Sequence, residues 1–286
     1  VTVLQALLDG LMIGGVYAVV SIGLTLVFGV MGIVNFAQAE FLMLGMFVAF
    51  FAWAWLGLDP LLGSFLAFAL VFLLGMAVQE LLIRRVLHAP PVSQIFLTVG
   101  LLIVLQNLAL VVFGSEFRSV TTPYQMQSLR LGPFFISVPY LAAFLMSALC
   151  CLVLSVFLRQ SWFGWAMRAT AQHPMAAQLL GIDPGRMQRL AFGLGTGLTA
   201  FGGAVILPYL TVQPTIGGQF VVLMFTVVVL GGLGSIAGAV AGGLTVGVIQ
   251  SLSALVFPIQ LQNLILFLVF IAILSVKPTG LIGARR

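Results

Sequence analysis

VPYLAAFLMSALCCLVLSVFL, residues 138–158, runs for twenty-one residues without a charge. Coiled as a helix at 1.5 Å per residue it is about 30 Å long, the thickness of a bilayer's hydrocarbon core. Eight further apolar runs lie around it, at roughly 3–29, 37–58, 61–83, 93–113, 187–211, 219–232, 235–257 and 260–276, of which 219–232 is too short for a full crossing. The 286 residues are 62% apolar and 6% charged, with a mean hydropathy of +1.25. A soluble domain carries about 25% charged residues. Eight or nine crossings of about 20 residues leave only short loops, so a sizeable soluble domain is excluded. The expected fold is an all-α, polytopic membrane protein of eight or nine transmembrane helices, some of them candidates for interruption, in a single domain over 1–286.

Eleven Lys and Arg against six Asp and Glu give a formal charge of +5. The basic residues stand singly or in pairs, a pattern of topology markers and not of a nucleic-acid surface. Nine of them fall in three polar interruptions: Arg84 and Arg85; Arg159, Arg168, Arg186 and Arg189; Lys277, Arg285 and Arg286. The positive-inside rule places these three segments and the C-terminus in the cytoplasm, with Arg118, Arg130 and the loop 114–139 outside. Nine crossings then put the N-terminus outside, eight inside. The first apolar stretch lacks a basic leader and a convincing cleavage site, and is expected to be the first span, not a signal peptide. Cys150 and Cys151, adjacent in an apolar run, are expected to pack as small apolar side chains.

Nothing points to enzymatic chemistry. The Gly-rich stretch 193–203, GLGTGLTAFGG, has no Lys to reach a phosphate and belongs to an apolar run, where small residues serve helix packing. There is no metal-ligand spacing, and His88 and His173 fall in predicted cytoplasmic loops. No catalytic residue, metal site or bound cofactor is expected.

Few ionisable groups interrupt the apolar runs. Glu80 stands four residues before Arg84, the spacing of a helical ion pair, and Asp9 lies a turn or two inside the first span. Glu40 is more informative, because Asn35, Gln38 and Glu40 cluster directly after an interruption at Gly29 and Gly32. Asn35 is placed to cap a restarted helix, with Gln38 and Glu40 in its first turns near the positive end of the dipole. Two roles stay open: a capped helix start at the cytoplasmic interface, or the lining or gate of a translocation path. The stretch 29–45, GVMGIVNFAQAEFLMLG, also looks like 231–247, GGLGSIAGAVAGGLTVG, at an offset of 202 residues. Interrupted helices in repeats often flank substrate paths, although abundant Gly and Ala also serve close helix packing.

The segment 168–192, RATAQHPMAAQLLGIDPGRMQRLAF, holds two helix starts in close succession. Pro174 suits a first helical position, Met175, Ala176, Leu179 and Leu180 share one side of a short helix, and Gly181 suits its C-terminal cap. Asp183 and Pro184 repeat the start signal and launch the next span. Such a short helix either rests on lipid headgroups or docks in a partner's groove.

The order Arg168-Ala169-x-Ala171-Gln172, then Ala176-Ala177, then Leu180-Gly181-Ile182, closely resembles the cytoplasmic coupling segment of branched-chain amino acid ABC-transporter permeases. GLTLVFGVMGIVNFAQAEFLMLG at 23–45, VVLGGLGSIAGAVAGGLTVG at 228–247 and KPTGLIG at 277–283 are similar to that family as well, so the likeness covers nearly the whole chain. His173-Pro174 departs from it, standing where the family commonly has an acidic or amide residue followed by a non-proline one. The resemblance implies a membrane subunit of a bacterial inner-membrane importer. Its implied partners are a second, related permease, two ATP-binding cassette ATPases that bind ATP and Mg, and a periplasmic binding protein. Residues 168–182 would then be the ATPase-coupling segment, and alternating access the mechanism. The polar candidates for the path are Asn35, Gln38, Glu40 and Ser235. The implied substrates are Leu, Ile or Val, or the urea, amides and small carboxylates that relatives handle. The competing class is an ion-coupled secondary transporter or channel that uses Glu40.

Overall fold

The computed structural model describes residues 2–277 and 280–282; Arg285, Arg286 and the Pro278, Thr279 and Gly283 positions of the 277–283 motif lie outside the described residues. Twelve α-helices are found there: α1 (Thr2–Met31), α2 (Gln38–Leu56), α3 (Pro60–Val78), α4 (Arg84–Val86), α5 (Pro91–Phe113), α6 (Val138–Gln160), α7 (Trp162–Gln172), α8 (Pro174–Leu179), α9 (Pro184–Ile206), α10 (Ile216–Gly231), α11 (Ile236–Val256) and α12 (Ile259–Val276). A π-helical turn, Gln79–Ile83, joins α3 to α4, so that Pro60–Val86 forms one apolar rod. Among the described residues seven helices are long and apolar enough to cross a membrane, and α10 and α12 supply shorter apolar stretches. The nine apolar runs of the sequence thus each became a helix. The protein is a polytopic, all-α membrane protein.

The bundle is built around α1 and α9, whose apolar windows are mostly buried by other helices, while α5 and α6 turn most of theirs outward. Glycine lets the central helices approach closely. A Cβ at Gly14 of α1 would fall 2.8 Å from the Gly243 oxygen of α11, and one at Gly45 of α2 would collide with the Ala200 backbone of α9. Without an aqueous driving force between helices, this backbone-to-backbone packing supplies the dispersion energy that holds them. Outward-facing residues such as Phe96, Val111 and Leu152 are apolar and exposed, as a lipid-facing surface requires. Trp55 at the end of α2 and Trp162 and Trp165 in α7 are each at least 60% exposed near opposite ends of the bundle, where aromatic rings favour the membrane interface.

Three departures from a plain bundle matter for the site. The first is the break between α1 and α2. α1 stops at Met31, Gly32 turns the chain at φ 70°, and α2 begins only at Gln38. Gln38 hydrogen-bonds to Gly195 and Thr199 of α9, which lie about 17 and 23 Å along that helix at 1.5 Å per residue. The first turn of α2 therefore stands halfway along α9, deep inside the bundle. The look-alike stretch at an offset of 202 has the same form: α10 ends at Gly231, Gly234 takes φ 81° where Gly32 takes 70°, and α11 starts at Ile236. The two breaks meet, with a Cβ at Gly29 placed 3.5 Å from the Gly234 Cα.

The second is α10, only sixteen residues long, which follows the partly buried, non-helical turn 207–215. Its shortness was legible in the sequence; its start beside α2 was not. The third is the loop between α5 and α6, which forms an antiparallel hairpin of β1 (Ser128–Leu131) and β2 (Phe134–Ser137), turned at Gly132 with φ 61°. Arg118 in this loop pairs with Val212 as an isolated bridge, and its guanidinium stacks over Phe50 and Phe51 at 5.6 and 5.4 Å. Tyr124 donates to Asp59, the N-cap of α3, at 2.9 Å; burial first and the Asp59 carboxylate second push its pKa up.

The glycine contacts generate a test. Gly14→Leu overpacks α1 against α11 and is expected to cost about 1–3 kcal/mol. Gly100→Leu on α5, where a Cβ meets nothing within 4 Å, is expected to be near neutral. Thermal unfolding of the detergent-solubilised protein compares them, and equal melting temperatures would contradict this packing.

Candidate functional site

The polar cluster after the first break is wholly buried: Asn35, Gln38 and Glu40 are 0–1% exposed. Asn35 Nδ2 donates to Gln38 Oε1 at 2.9 Å, and Gln38 Nε2 donates to Thr199 Oγ1 at 2.8 Å and to the Gly195 carbonyl at 3.1 Å. Thr199 Oγ1 lies 3.1 Å from the Val20 carbonyl of α1. One carboxamide thus joins the break, α9 and α1. The junction depends on absent side chains, since a Cβ at Gly23 would collide with both the Gly195 oxygen and Thr199 Oγ1.

Asn35 does not cap α2 as its position suggests. The N-cap position is Ala37, which has no side-chain acceptor, and Asn35 Oδ1 instead accepts from the Ala37 N–H at 3.1 Å. The side chain bonds two residues ahead, as Asx turns do, and so holds the non-helical approach to the helix. Gln38 and Glu40 do occupy the first turn. Glu40 is set apart from the knot: neither carboxylate oxygen has a hydrogen-bond partner among the described residues, and a Cβ at Gly217 in the first turn of α10 would lie 2.7 Å from the carboxylate carbon. Ser235 is elsewhere again, capping α11 through the Gly238 N–H at 3.1 Å.

The segment 168–182 occupies the last turns of α7, the whole of α8 and the turn after it. α7, not anticipated as a separate helix, starts where Ser161 Oγ accepts from the Gly164 N–H at 3.0 Å. α8 buries one residue, Ala177, and leaves Met175, Leu179 and Leu180 78%, 85% and 80% exposed. Arg168, Ala171, Gln172, Ala176 and Gly181 are exposed as well, while Ala169 and Ile182 are half-buried. α8 ends in a Schellman turn. Ile182 N–H bonds to the Ala177 carbonyl at 3.1 Å, Gly181 N–H to Gln178 at 3.0 Å, and Gly181 takes φ 80°. Asp183 then caps α9 through the N–H groups of Gly185 and Arg186, at 2.9 and 3.3 Å.

α9 runs unbroken from this cap to Ile206, through Gly195 and Thr199. At its start Arg189 lies 3.4 Å from Glu80, which also pairs with Arg84 as its spacing predicted. The exposed helix α8 is thus joined, through the hydrogen-bonded turn 180–183, to the helix that carries the buried knot. His88 and His173 are exposed loop residues, and the described residues hold no cluster of three or more His, Cys, Asp or Glu that suits a metal.

A cavity of about 350 Å³, not anticipated from the sequence, opens near the end of the bundle away from α8. Its polar wall is Tyr17, Tyr140, Tyr209, Gln219 and Gln250, drawn from α1, α6, the 207–215 turn, α10 and α11. The available signal was the presence of hydroxyl and amide groups inside apolar runs.

Residues 6–274 match the family model for the permease component of branched-chain amino acid transport systems. The chain is 32% identical to the high-affinity branched-chain amino acid transport system permease protein LivH of Salmonella typhimurium and 31% identical to the corresponding protein BraD of Pseudomonas aeruginosa. Each alignment covers 98% of this chain and 95% of the relative. A probable branched-chain amino acid transport permease of Methanocaldococcus jannaschii is 25% identical, over 98% of this chain and 92% of its own length. No solved structure matches. A match this long, over a fold of the expected kind, shows that the chain belongs to the family of branched-chain amino acid transport permease components.

Proposed function

We propose that this chain is the membrane-spanning subunit of an ATP-driven importer and passes Leu, Ile or Val, or a close analogue, across the inner membrane by alternating access. The observation that carries the proposal is α8, which with the adjoining Leu180 leaves three large apolar side chains mostly exposed, on a helix closed at its C-terminal end by a Schellman turn and joined through that turn to the capped start of a central helix. A lipid-resting helix has no need of that connection; a lever does. The proposed partners are two ATPase subunits, which bind ATP and Mg and seat α8 in a cleft, a second permease of the same family, and a periplasmic binding protein. The face bearing α8 and most of the arginines is cytoplasmic in this proposal, and the C-terminus lies on that side.

In this mechanism closure of the ATPases displaces α8, and α9 carries the displacement to the knot at Gln38. A bistable set of packed helices then exchanges one arrangement for another. Asn35, Gln38 and Glu40 belong to the moving wall of the path, and Ser235 anchors the helix start opposite the first break. Glu40 supports one other function, an ion-coupled transporter, because its carboxylate is buried without a partner among the described residues.

Leu179→Asp places a charge on the exposed face of α8 without touching its packing. It is expected to lower uptake at least tenfold in cells that express the chain with its partner subunits, at an unchanged level of protein in the membrane. Gly181→Pro is incompatible with φ 80° and should do the same; normal uptake by both variants would contradict coupling through α8. Gln38→Leu leaves Asn35 and Thr199 short of a partner, at about 1–3 kcal/mol of stability, and should lower both the melting temperature and the uptake rate. Purified chain alone in liposomes separates the two functions. Gradient-driven uptake that Glu40→Gln abolishes would favour the ion-coupled transporter, whereas the importer predicts no uptake without ATPase subunits.

A further inference from the structure

The cavity at the end of the bundle away from α8 has no part in the mechanism above. Its position follows from its polar wall: Tyr140 is the third residue of α6, whose far end leads into α7, and Tyr209 lies three residues beyond the end of α9. A membrane-spanning helix therefore separates the cavity from the coupling segment.

The polar groups of the wall are poorly satisfied by the protein itself. Tyr17 donates to Gln250 Oε1 at 2.8 Å, which leaves the Gln250 amide N–H groups free to donate elsewhere. The Tyr140 and Tyr209 rings meet at a tilt with centroids 4.4 Å apart, yet neither hydroxyl has a hydrogen-bond partner among the described residues, and neither does the Gln219 carboxamide. Gln219 is exposed on a helix whose other side chains are nearly all apolar. Polar groups at such a depth face water or a ligand and not lipid, because hydrocarbon offers them no partner. The rest of the wall is apolar, with Ile13, Leu210 and Leu266 among its residues, and no Lys, Arg, Asp or Glu lines it. A volume of about 350 Å³ is at the lower end of the range for ligand pockets and suits a small solute.

We propose that this cavity is a transient subsite for a zwitterionic, aliphatic amino acid, whose ammonium and carboxylate meet the tyrosine hydroxyls and glutamine amides while its side chain lies on the apolar wall. The proposal rests on the substrate class given under Proposed function and assigns it a place. Neutral hydrogen-bonding groups hold an ion less strongly than a charged partner does, so the site captures its solute weakly and releases it. The same absence of fixed charge discriminates. A zwitterion brings no net charge into the cavity, whereas aspartate or lysine brings one that no side chain of the wall neutralises, the Asp9 carboxylate of α1, whose charge reaches Tyr140, standing outside the wall.

The test uses the full chain expressed with its partner subunits, in a background carrying Cys150→Ala and Cys151→Ala that still takes up leucine. Gln219→Cys is introduced, and the reaction of its thiol with a membrane-impermeant thiosulfonate is timed from the side opposite the ATPases. Saturating leucine is expected to slow the reaction at least fivefold, and aspartate or lysine less than twofold. Tyr209→Phe and Gln250→Leu, which keep the shape of the wall, are expected to raise the KM for leucine uptake about tenfold at an unchanged membrane level. The subsite is refuted, with the importer intact, if the background takes up leucine but the introduced thiol is unreactive, is unprotected by leucine, or is protected equally by all three amino acids. It is also refuted if both conservative variants keep a KM within twofold. Failure of the unsubstituted complex to take up any branched-chain amino acid overturns the substrate assignment itself, and the subsite with it.

Discussion

A backbone inside a bilayer must satisfy its own polar groups, and the protein meets this constraint where it is hardest, at the non-helical stretch 32–37. Open backbone at that depth survives only if protein surrounds it. Here the Gly32 N–H bonds back to Phe28, Asn35 accepts from Ala37, and Thr98 of α5 reaches the Val34 carbonyl. Gln38 then closes the break onto α9. Gly23 and Gly195 are needed for the helices to come close enough, and Thr199 is needed as the acceptor. The close packing of α9 against both α1 and α2 and the depth at which α2 begins are linked to this one junction.

The same constraint explains the contrast between Gln38 and Glu40. Gln38 offers neutral donors and an acceptor, so its burial is compensated by geometry. Glu40 lies two residues further, also fully buried, with no hydrogen bond to either oxygen among the described residues. Its surroundings are the first turn of α10, the positive end of that helix's dipole. The absence of a side chain at Gly217 is what makes room for the carboxylate. The shortness of α10 now has a cause, since it begins where α2 begins, inside the bundle and beside the acid.

How much of this was legible in the sequence divides by the range of the interaction. Each apolar run became a helix because hydrophobicity over about twenty residues is a local property, and α8 was readable from Pro174, Gly181 and the Asp183-Pro184 start because caps act within one turn. The i,i+4 pair of Glu80 and Arg84 was local too, but its second partner, Arg189, comes from another helix. Asn35 was misplaced by two residues, because an Asx turn and an N-cap use the same side chain and the same kind of donor. The Thr199 partner of Gln38 lies 161 residues away, and the tyrosine cavity gathers its polar wall from five separate elements. No pattern along the chain announces such meetings; only the packing of α1 against α9 and α11 creates them.

α9 is the element on which these features converge. Its first turn is capped by Asp183 directly after the Schellman turn of α8, its middle holds Gln38, and its far end leads into the turn that carries Tyr209. A helix of this length is stiff over about 34 Å. At Gly193, Gly195, Gly197, Gly202 and Gly203 the absence of a side chain admits Met76, Val27, Phe68, Val20 and Leu42 of the neighbouring helices against its backbone. Stiffness along the axis together with a firm grip on its neighbours is what a push rod requires. In the proposed mechanism a displacement at α8 therefore reaches the knot and the tyrosine cavity together. Opening at one end of the path and loss of the solute's hydrogen-bonding wall at the other become consequences of one movement, and the coupling between them needs no relay of intervening side chains.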